Sequence, residues 1–175
     1  MKVKTKVWEN VSWQAVAWFV SLVLVVAIVP RFVHNQFITG PLVNAVLFTG
    51  VAILGAGPAI LIGLVPSVVA LSAGLLPLPL APMVPFIMIS NAILVLIFAG
   101  LRRLNFWTGV GAAALIKYLF LYIASSWVVS LIAQDKIAAK ASAIMMSWPQ
   151  LATALIGGAI AWGVLVINQK SKIKD

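Results

Sequence analysis

Long apolar runs separated by short polar breaks fill the chain, and this pattern predicts membrane-spanning helices. A helix that crosses the hydrocarbon core of a bilayer needs roughly 20 mainly apolar residues. Runs of this kind predict six helices, at about 11–30, 41–56, 58–76, 84–101, 106–133 and 147–168. The runs are continuous rather than alternating with a period of two, which disfavours a β-barrel. The predicted fold class is all-α, a single integral membrane domain with six transmembrane helices.

Prolines and polar residues mark where these helices are expected to end. Pro30 is predicted to end the first helix, and the polar stretch at 31–40 is predicted to form an interfacial loop. Pro66 predicts a kink inside the third helix. The sequence PLPLAPMVP predicts a stiff, extended connection over 77–84. The weakly amphipathic stretch QDKIAAKASAIMMS predicts either a short interfacial helix or an extension of a neighbouring helix.

Composition strengthens the membrane interpretation. Hydrophobic residues make up 63% of the chain and charged residues 9%, whereas soluble domains carry about 25% charged residues. The formal net charge is +9, but the basic residues lie at the ends of apolar runs, as topology determinants do, which disfavours nucleic acid as a partner. There is no cysteine, which excludes disulfides and thiolate chemistry.

The distribution of Lys and Arg predicts the orientation in the membrane. With six spans, both termini and the turn after the fourth helix lie on one side, which carries Lys2, Lys4, Lys6, Arg102, Arg103, Lys170, Lys172 and Lys174. The opposite side carries Arg31, Lys136 and Lys140. Because cytoplasmic loops are enriched in Lys and Arg, we expect both termini to be cytoplasmic in a prokaryotic plasma membrane.

The acidic residues and the histidine argue against catalysis. Glu9, Asp135 and Asp175 all lie outside the predicted spans, and the single histidine, His34, lies in a predicted loop. Intramembrane proteolysis needs paired aspartates or a bound metal, and proton-coupled transport usually needs a buried carboxylate or histidine. We therefore expect no enzyme activity, no catalytic residues, no metal site and no cofactor.

One charge interrupts the apolar segments, in the stretch GAAALIKYLFLYIASSW. Lys117 lies 11 residues into the fifth predicted helix, which is about 16 Å along its axis. Burying an unpaired ammonium near the middle of a membrane is costly, so the lysine either faces a polar cavity that receives an anionic group or extends its ammonium group back to the cytoplasmic interface. The first alternative predicts a substrate site.

Further candidate site residues lie towards the predicted outer ends of helices four to six. Asn91 and Gln150 each have more hydrogen-bonding capacity than a neighbouring helix usually satisfies, and Tyr122 lies on the same helix as Lys117. Trp127 and Trp148 fit either an aromatic belt or stacking against a planar ligand. Together these residues predict an outward-opening polar cavity between helices four, five and six.

These segments also resemble a known family. GPLVNAVLFTGVAILGAGPAILIGLVPSVVAL and PFIMISNAILVLIFAGLRR are similar to helices two to four of the substrate-binding S components of energy-coupling factor (ECF) transporters. The resemblance extends over about 11–168. It implies a membrane subunit that captures a vitamin-like organic micronutrient and docks on a membrane T component driven by two cytoplasmic ATPases.

The resemblance also suggests a docking face on the first helix. S components usually carry an Ala-x-x-x-Ala motif there, and the nearest match is Ala17-x-x-x-Ser21. Lys117 suggests a substrate with an anionic group such as a carboxylate. Two other classes of function remain open: a structural or assembly subunit of a membrane complex, and a small autonomous channel or facilitator.

Overall fold

The computed structural model describes residues 12–74, 76, 78–132, 144 and 146–172. Within these ranges the chain forms six α-helices and no strand. They are α1 (Trp13–Phe32), α2 (Gln36–Leu54), α3 (Ala56–Ser72), α4 (Val84–Leu101), α5 (Phe106–Ile132) and α6 (Trp148–Lys172). The all-α prediction is confirmed.

Five of the six helices are long and apolar enough to cross a membrane. The exception is α3, an apolar helix of 17 residues, which corresponds to a length of about 26 Å at 1.5 Å per residue. Membrane-spanning helices are thus supported for α1, α2, α4, α5 and α6, while six spans with cytoplasmic termini remain a prediction.

Polar side chains at three helix starts satisfy backbone N–H groups that have no partner within the helix. The Ser12 hydroxyl accepts a hydrogen bond from the backbone N–H of Ala15 at 3.2 Å. The Asn35 side chain accepts one from Phe37 at 2.9 Å, and Asn105 accepts one from Trp107 at 2.8 Å. These caps place the start of α1, α2 and α5 at defined positions in the sequence.

The centre of the bundle is α2, which packs against α1, α3 and most extensively α6, while α4 packs mainly against α5. The residues of α2 from Asn44 to Val51 are all buried. Phe48 contacts Phe98 of α4 edge to face, with ring centroids 4.7 Å apart. A smaller buried cluster includes Leu80 and Met83 of the connection between α3 and α4 and Leu121 of α5.

Glycines allow the helices around α2 to approach closely. A Cβ atom at Gly157 of α6 would lie 2.7 Å from the Asn44 Cβ and 2.8 Å from the Pro41 carbonyl oxygen. A Cβ at Gly63 of α3 would lie 3.2 Å from the Asn91 Cβ on α4. Both approaches bring an asparagine close to the backbone of a neighbouring helix.

The predicted loop at 31–40 is wrong in extent. α1 continues two residues beyond Pro30, and α2 begins at Gln36, so the connection is limited to residues 33–35. The Asn35 cap starts α2 before Pro41, and the Thr39 hydroxyl donates a hydrogen bond to the Asn35 carbonyl at 3.0 Å. Pro41 is the sixth residue of α2 and lies inside the helix, where a proline removes one backbone hydrogen bond and bends the helix without having to end it.

The proline-rich connection is also more structured than predicted. Leu78–Met83 forms a 3₁₀-helical segment rather than an extended one, and it leads directly into α4. Proline fixes φ near −65°, a value that fits a 3₁₀ turn as well as an extended chain. Most of the amphipathic stretch at 134–147 lies outside the described residues, as do the acidic residues Glu9, Asp135 and Asp175.

Candidate functional site

Lys117 is buried within the bundle and bonded to two helices. Its side chain is 3% exposed. The Nζ atom donates hydrogen bonds to Oδ1 of Asn44 on α2 and to Oδ1 of Asn91 on α4, both at 2.8 Å. The ammonium group is therefore surrounded by protein and does not extend to the surface of the bundle. The alternative in which Lys117 reaches the interface is wrong.

The two asparagines extend this contact to further helices. Asn91 Nδ2 donates to the Gly63 carbonyl of α3 at 2.8 Å. Asn44 Nδ2 donates to the Gly40 carbonyl in its own helix at 3.0 Å and makes a long contact of 3.5 Å with Thr153 Oγ1 of α6. One polar network, centred on Lys117, thus links α2, α3, α4, α5 and α6.

Lys117 lies on the wall of a cavity of about 280 Å³. The lining includes Pro30 in the last turn of α1, Gln36 at the start of α2, Ala70 near the end of α3 and Met146 just before α6. The cavity therefore lies at the bundle end where α1 ends and α2 begins. In the predicted orientation this is the external end.

The cavity wall is apolar with a small number of polar groups. Val43, Ile87 and Leu76 form part of the apolar surface. The polar groups on the lining are His34, Gln36, Thr39, Asn44, Ser67, Asn91, Lys117 and Gln150. An apolar pocket with a few convergent polar groups is the usual form of a small-molecule site.

The charge of Lys117 is not neutralised by any described residue. Asn44 and Asn91 provide neutral amide oxygens, and the described ranges contain no Asp or Glu. An ammonium has three N–H donors, and two of them are accounted for by the asparagines. The described residues therefore offer no carboxylate to Lys117, and its ammonium form has a third N–H group that can bind an anionic group.

Ser67 is another polar residue of the wall that a ligand can contact. It is 2% exposed and lines the cavity. Its Oγ atom has no hydrogen-bond partner among the described residues. A buried hydroxyl without a partner is unfavourable by about 1–3 kcal/mol, so a ligand that satisfies it would gain affinity.

The structure brings three of the residues that the sequence singled out to this cavity. Lys117, Asn91 and Gln150 all line it. The sequence predicted a cavity between helices four, five and six. The observed cavity extends further, because α1, α2 and α3 also contribute to its wall.

The other three predicted residues do not line the cavity. Tyr122 is 50% exposed, Trp127 74% and Trp148 59%. On a helix of 3.6 residues per turn, Tyr122 projects about 140° round the axis from Lys117. The Trp148 ring packs against Phe37, with centroids 5.8 Å apart. Their exposure on the bundle surface fits the aromatic-belt alternative.

Sequence reasoning missed Asn44 as a site residue. A neutral polar side chain in a membrane helix often only hydrogen-bonds to a neighbouring helix, which is why the sequence alone does not single out Asn44. With α2 beginning at Gln36, the residues Gln36, Gly40 and Asn44 follow one another at intervals of four and share one face. That spacing is the sequence signal that could have identified the α2 wall of the cavity.

The predicted docking residues lie at the opposite end of the bundle. Ala17 and Ser21 are exposed on α1 and line a separate groove, together with Trp18, Leu54 and Asn168. Small side chains at these positions permit close approach of another helix.

Comparisons with known proteins do not assign the chain to a family. No protein-family model matches it, and searches of curated proteins and of solved structures returned no match.

Proposed function

We propose that this chain is the substrate-binding membrane subunit of an importer of the energy-coupling factor type, and that its cavity captures a compact organic carboxylate. The observation that supports the proposal is the buried ammonium of Lys117 on the cavity wall, held by two neutral amides at 2.8 Å. A carboxylate that reaches this ammonium supplies the counter-charge that the described residues do not.

The size and charge of the cavity narrow the substrate class. A volume of about 280 Å³ lies at the lower end of the range of roughly 300–1,000 Å³ that is typical of ligand pockets. One lysine balances one negative charge. A compact monocarboxylate such as biotin or pantothenate therefore fits better than a cobamide, and the apolar wall accommodates the rest of the molecule.

The proposed transport cycle needs partners. The subunit binds its substrate from outside the cell, docks on a T component, and releases the substrate inward when two cytoplasmic ATPases hydrolyse ATP. The exposed small residues Ala17 and Ser21 of α1 are the proposed contact with the T component, because small side chains let helix backbones approach closely.

Matched pairs of ligands test the charge requirement directly. We expect the purified protein to bind a carboxylate in preference to its neutral amide, for example biotin over biotinamide or nicotinate over nicotinamide. Isothermal titration and ligand-induced thermal stabilisation measure the difference. Equal affinity for the acid and the amide within each pair would contradict the proposed role of Lys117.

Lys117→Met is the corresponding protein variant. It retains a side chain of similar length and removes the charge, so we expect carboxylate affinity to fall by about 10- to 100-fold, equivalent to about 1.5–3 kcal/mol for a charged hydrogen bond. Trp127→Phe, at an exposed position that does not line the cavity, is the control and should bind normally. Unchanged affinity in Lys117→Met would place the site elsewhere.

Reconstitution in liposomes distinguishes the proposed importer subunit from a channel or facilitator and from a structural subunit. In liposomes that hold this chain alone we expect ligand binding without flux, and uptake only when a T component and ATPases are added with ATP. Flux through the chain alone would indicate a channel or facilitator. The absence of bound ligand, both in mass spectrometry of small molecules released from the protein and in a carboxylate screen, would indicate a structural subunit.

A further inference from the structure

A second groove lies at the end of the bundle opposite the Lys117 cavity. It has a volume of about 380 Å³ and is lined by residues of the turn between α4 and α5, the start of α5 and the last turns of α6. Its lining includes the cationic side chains Arg102 and Arg103 and the apolar side chains Trp162, Leu165 and Val166 of α6. The groove thus combines a cationic part with an apolar part.

The two guanidinium groups have no carboxylate partner among the described residues, which contain no Asp or Glu. Arg102 is half-buried and Arg103 is exposed. Guanidinium groups bind phosphate through parallel N–H donors, and two of them on adjacent residues suit a single phosphate. This part of the groove therefore matches an anionic phosphate group.

The apolar part is built on an aromatic cluster. The Trp162 ring lies 4.9 Å from the Phe106 ring and 5.9 Å from the Trp107 ring, measured between centroids. Trp162 and Trp107 are 44% and 50% exposed, respectively, and tryptophan is enriched where a membrane protein meets the headgroup layer. Along the same helix, Ile160 and Val164 are also exposed, so the apolar wall continues onto the surface of the bundle.

We propose that this groove binds an anionic phospholipid. Arg102 and Arg103 hold the headgroup phosphate, and an acyl chain lies along Trp162, Leu165 and Val166. Basic pockets between transmembrane helices on the cytoplasmic side bind anionic headgroups in this way. A lipid occupies both parts of the groove at once, whereas inorganic phosphate would contact the arginines and leave the apolar wall without a partner.

The test compares two variants that remove the same charge from the same end of the bundle. Arg102→Gln/Arg103→Gln changes the groove, and Lys170→Gln/Lys172→Gln changes two lysines in the last turn of α6, of which Lys170 does not line the groove. Each protein is purified in a neutral detergent, mixed with phosphatidylglycerol or phosphatidylcholine, and examined by native mass spectrometry. Tryptophan fluorescence during thermal unfolding verifies that each variant is folded.

We expect the unmodified protein to retain phosphatidylglycerol over phosphatidylcholine. The arginine variant should reduce phosphatidylglycerol retention at least tenfold, and the lysine variant should change it less than twofold. Equal losses in the two variants would mean that net charge alone attracts the lipid, and the proposal would be wrong.

Two competition arms distinguish the source of the anion. Inorganic phosphate and an acidic peptide are each added to the protein with bound lipid. If either displaces the lipid at submillimolar concentration, and this displacement also requires Arg102 and Arg103, the proposal is overturned. The groove would then bind a soluble anion or a protein partner. Failure of both to displace the lipid supports the proposal. Because this groove is remote from Lys117, the result does not depend on whether the carboxylate proposal is correct.

Discussion

At the residue scale, Lys117 differs from most lysines in membrane helices because neutral groups surround it. Two amide oxygens at 2.8 Å satisfy two of its N–H donors without balancing its charge. A salt bridge within the protein would have left nothing for a ligand to neutralise. The asparagines position the ammonium, and its charge remains available for an anion.

Replacing one of these amides by a carboxylate should occupy the site with an internal anion. In Asn44→Asp we expect the new carboxylate to pair with Lys117 and to weaken binding of an external carboxylate at least tenfold, because the cavity wall no longer carries a net charge. The Thr153 hydroxyl, 3.5 Å from Asn44 Nδ2, can donate to the new carboxylate. Titration calorimetry measures the loss of affinity.

A matched substitution separates this effect from disruption of the fold. Asn44→Asp should unfold at a temperature equal to or above that of the unmodified protein, since the buried charge gains a partner, whereas Asn44→Ala should unfold at a lower one. If Asn44→Asp binds carboxylates with normal affinity, Lys117 does not carry the recognition. Asp135→Asn is a further control: a gain in affinity on its removal would show that this carboxylate competes for Lys117.

At the element scale, the crossing of α2 and α6 determines the position of Asn44. Gly157 permits this crossing, since a Cβ atom there would overlap the backbone of α2 at Pro41 and Ala45. Its partner is backbone rather than a flexible side chain, so a larger residue cannot be accommodated by a rotamer change.

We therefore expect Gly157→Ala to destabilise the protein by about 1–3 kcal/mol, the usual cost of overpacking, and to weaken carboxylate binding by moving Asn44. Gly163→Ala on the same helix is the control, because a Cβ at that position meets nothing within 4 Å. Unfolding in mixed detergent micelles, followed by tryptophan fluorescence, compares the two. If the two variants are equally stable, α2 and α6 can move apart without a loss of stability, and the expectation is wrong.

Helix boundaries show what the sequence could and could not predict. The long apolar runs of α4 and α5 gave their bounds almost to the residue, because a charged pair and a glycine mark the turn between them. The start of α2 was misplaced because the polar residues at 31–40 indicated a loop, whereas the Asn35 cap starts the helix at Gln36. That error placed Gln36 and Gly40, two residues of the α2 wall of the cavity, outside the helix.

The sequence predicted that a polar cavity exists, but it identified only some of the residues that line the cavity. An intramembrane lysine with no acidic partner indicated a polar cavity, and Asn91 and Gln150 were identified from their polarity. Tyr122 was wrongly placed in the cavity because residues on one helix were grouped without regard to the angle between them. Contacts such as Asn91 to the Gly63 carbonyl depend on the packing of α3 against α4, which one sequence does not specify.

At the scale of the whole molecule, the two ends of the bundle differ in chemistry. One end has the Lys117 cavity, and the other has the arginine groove and the proposed docking residues of α1. The proposed importer subunit requires such a division, with substrate capture at the first end and contact with lipid and partners at the second.

The absence of cysteine makes the predicted orientation simple to test. His34→Cys lies between α1 and α2, Leu104→Cys lies between α4 and α5, and both positions are exposed. We expect a membrane-impermeant maleimide to label the first in intact cells and the second only after permeabilisation. The reverse pattern would invert the topology and place the Lys117 cavity on the cytoplasmic side.

The order of the polar partners along the chain has a consequence for biogenesis. A lysine at the centre of an isolated helix opposes membrane insertion by about 2.5–3.5 kcal/mol. Asn44 and Asn91 both precede Lys117 in the sequence, so their amides are already in the membrane when the ribosome releases α5. We expect α5 alone to insert poorly in a translocon assay and to insert efficiently behind α2–α4, with the gain lost when both asparagines are replaced by leucine.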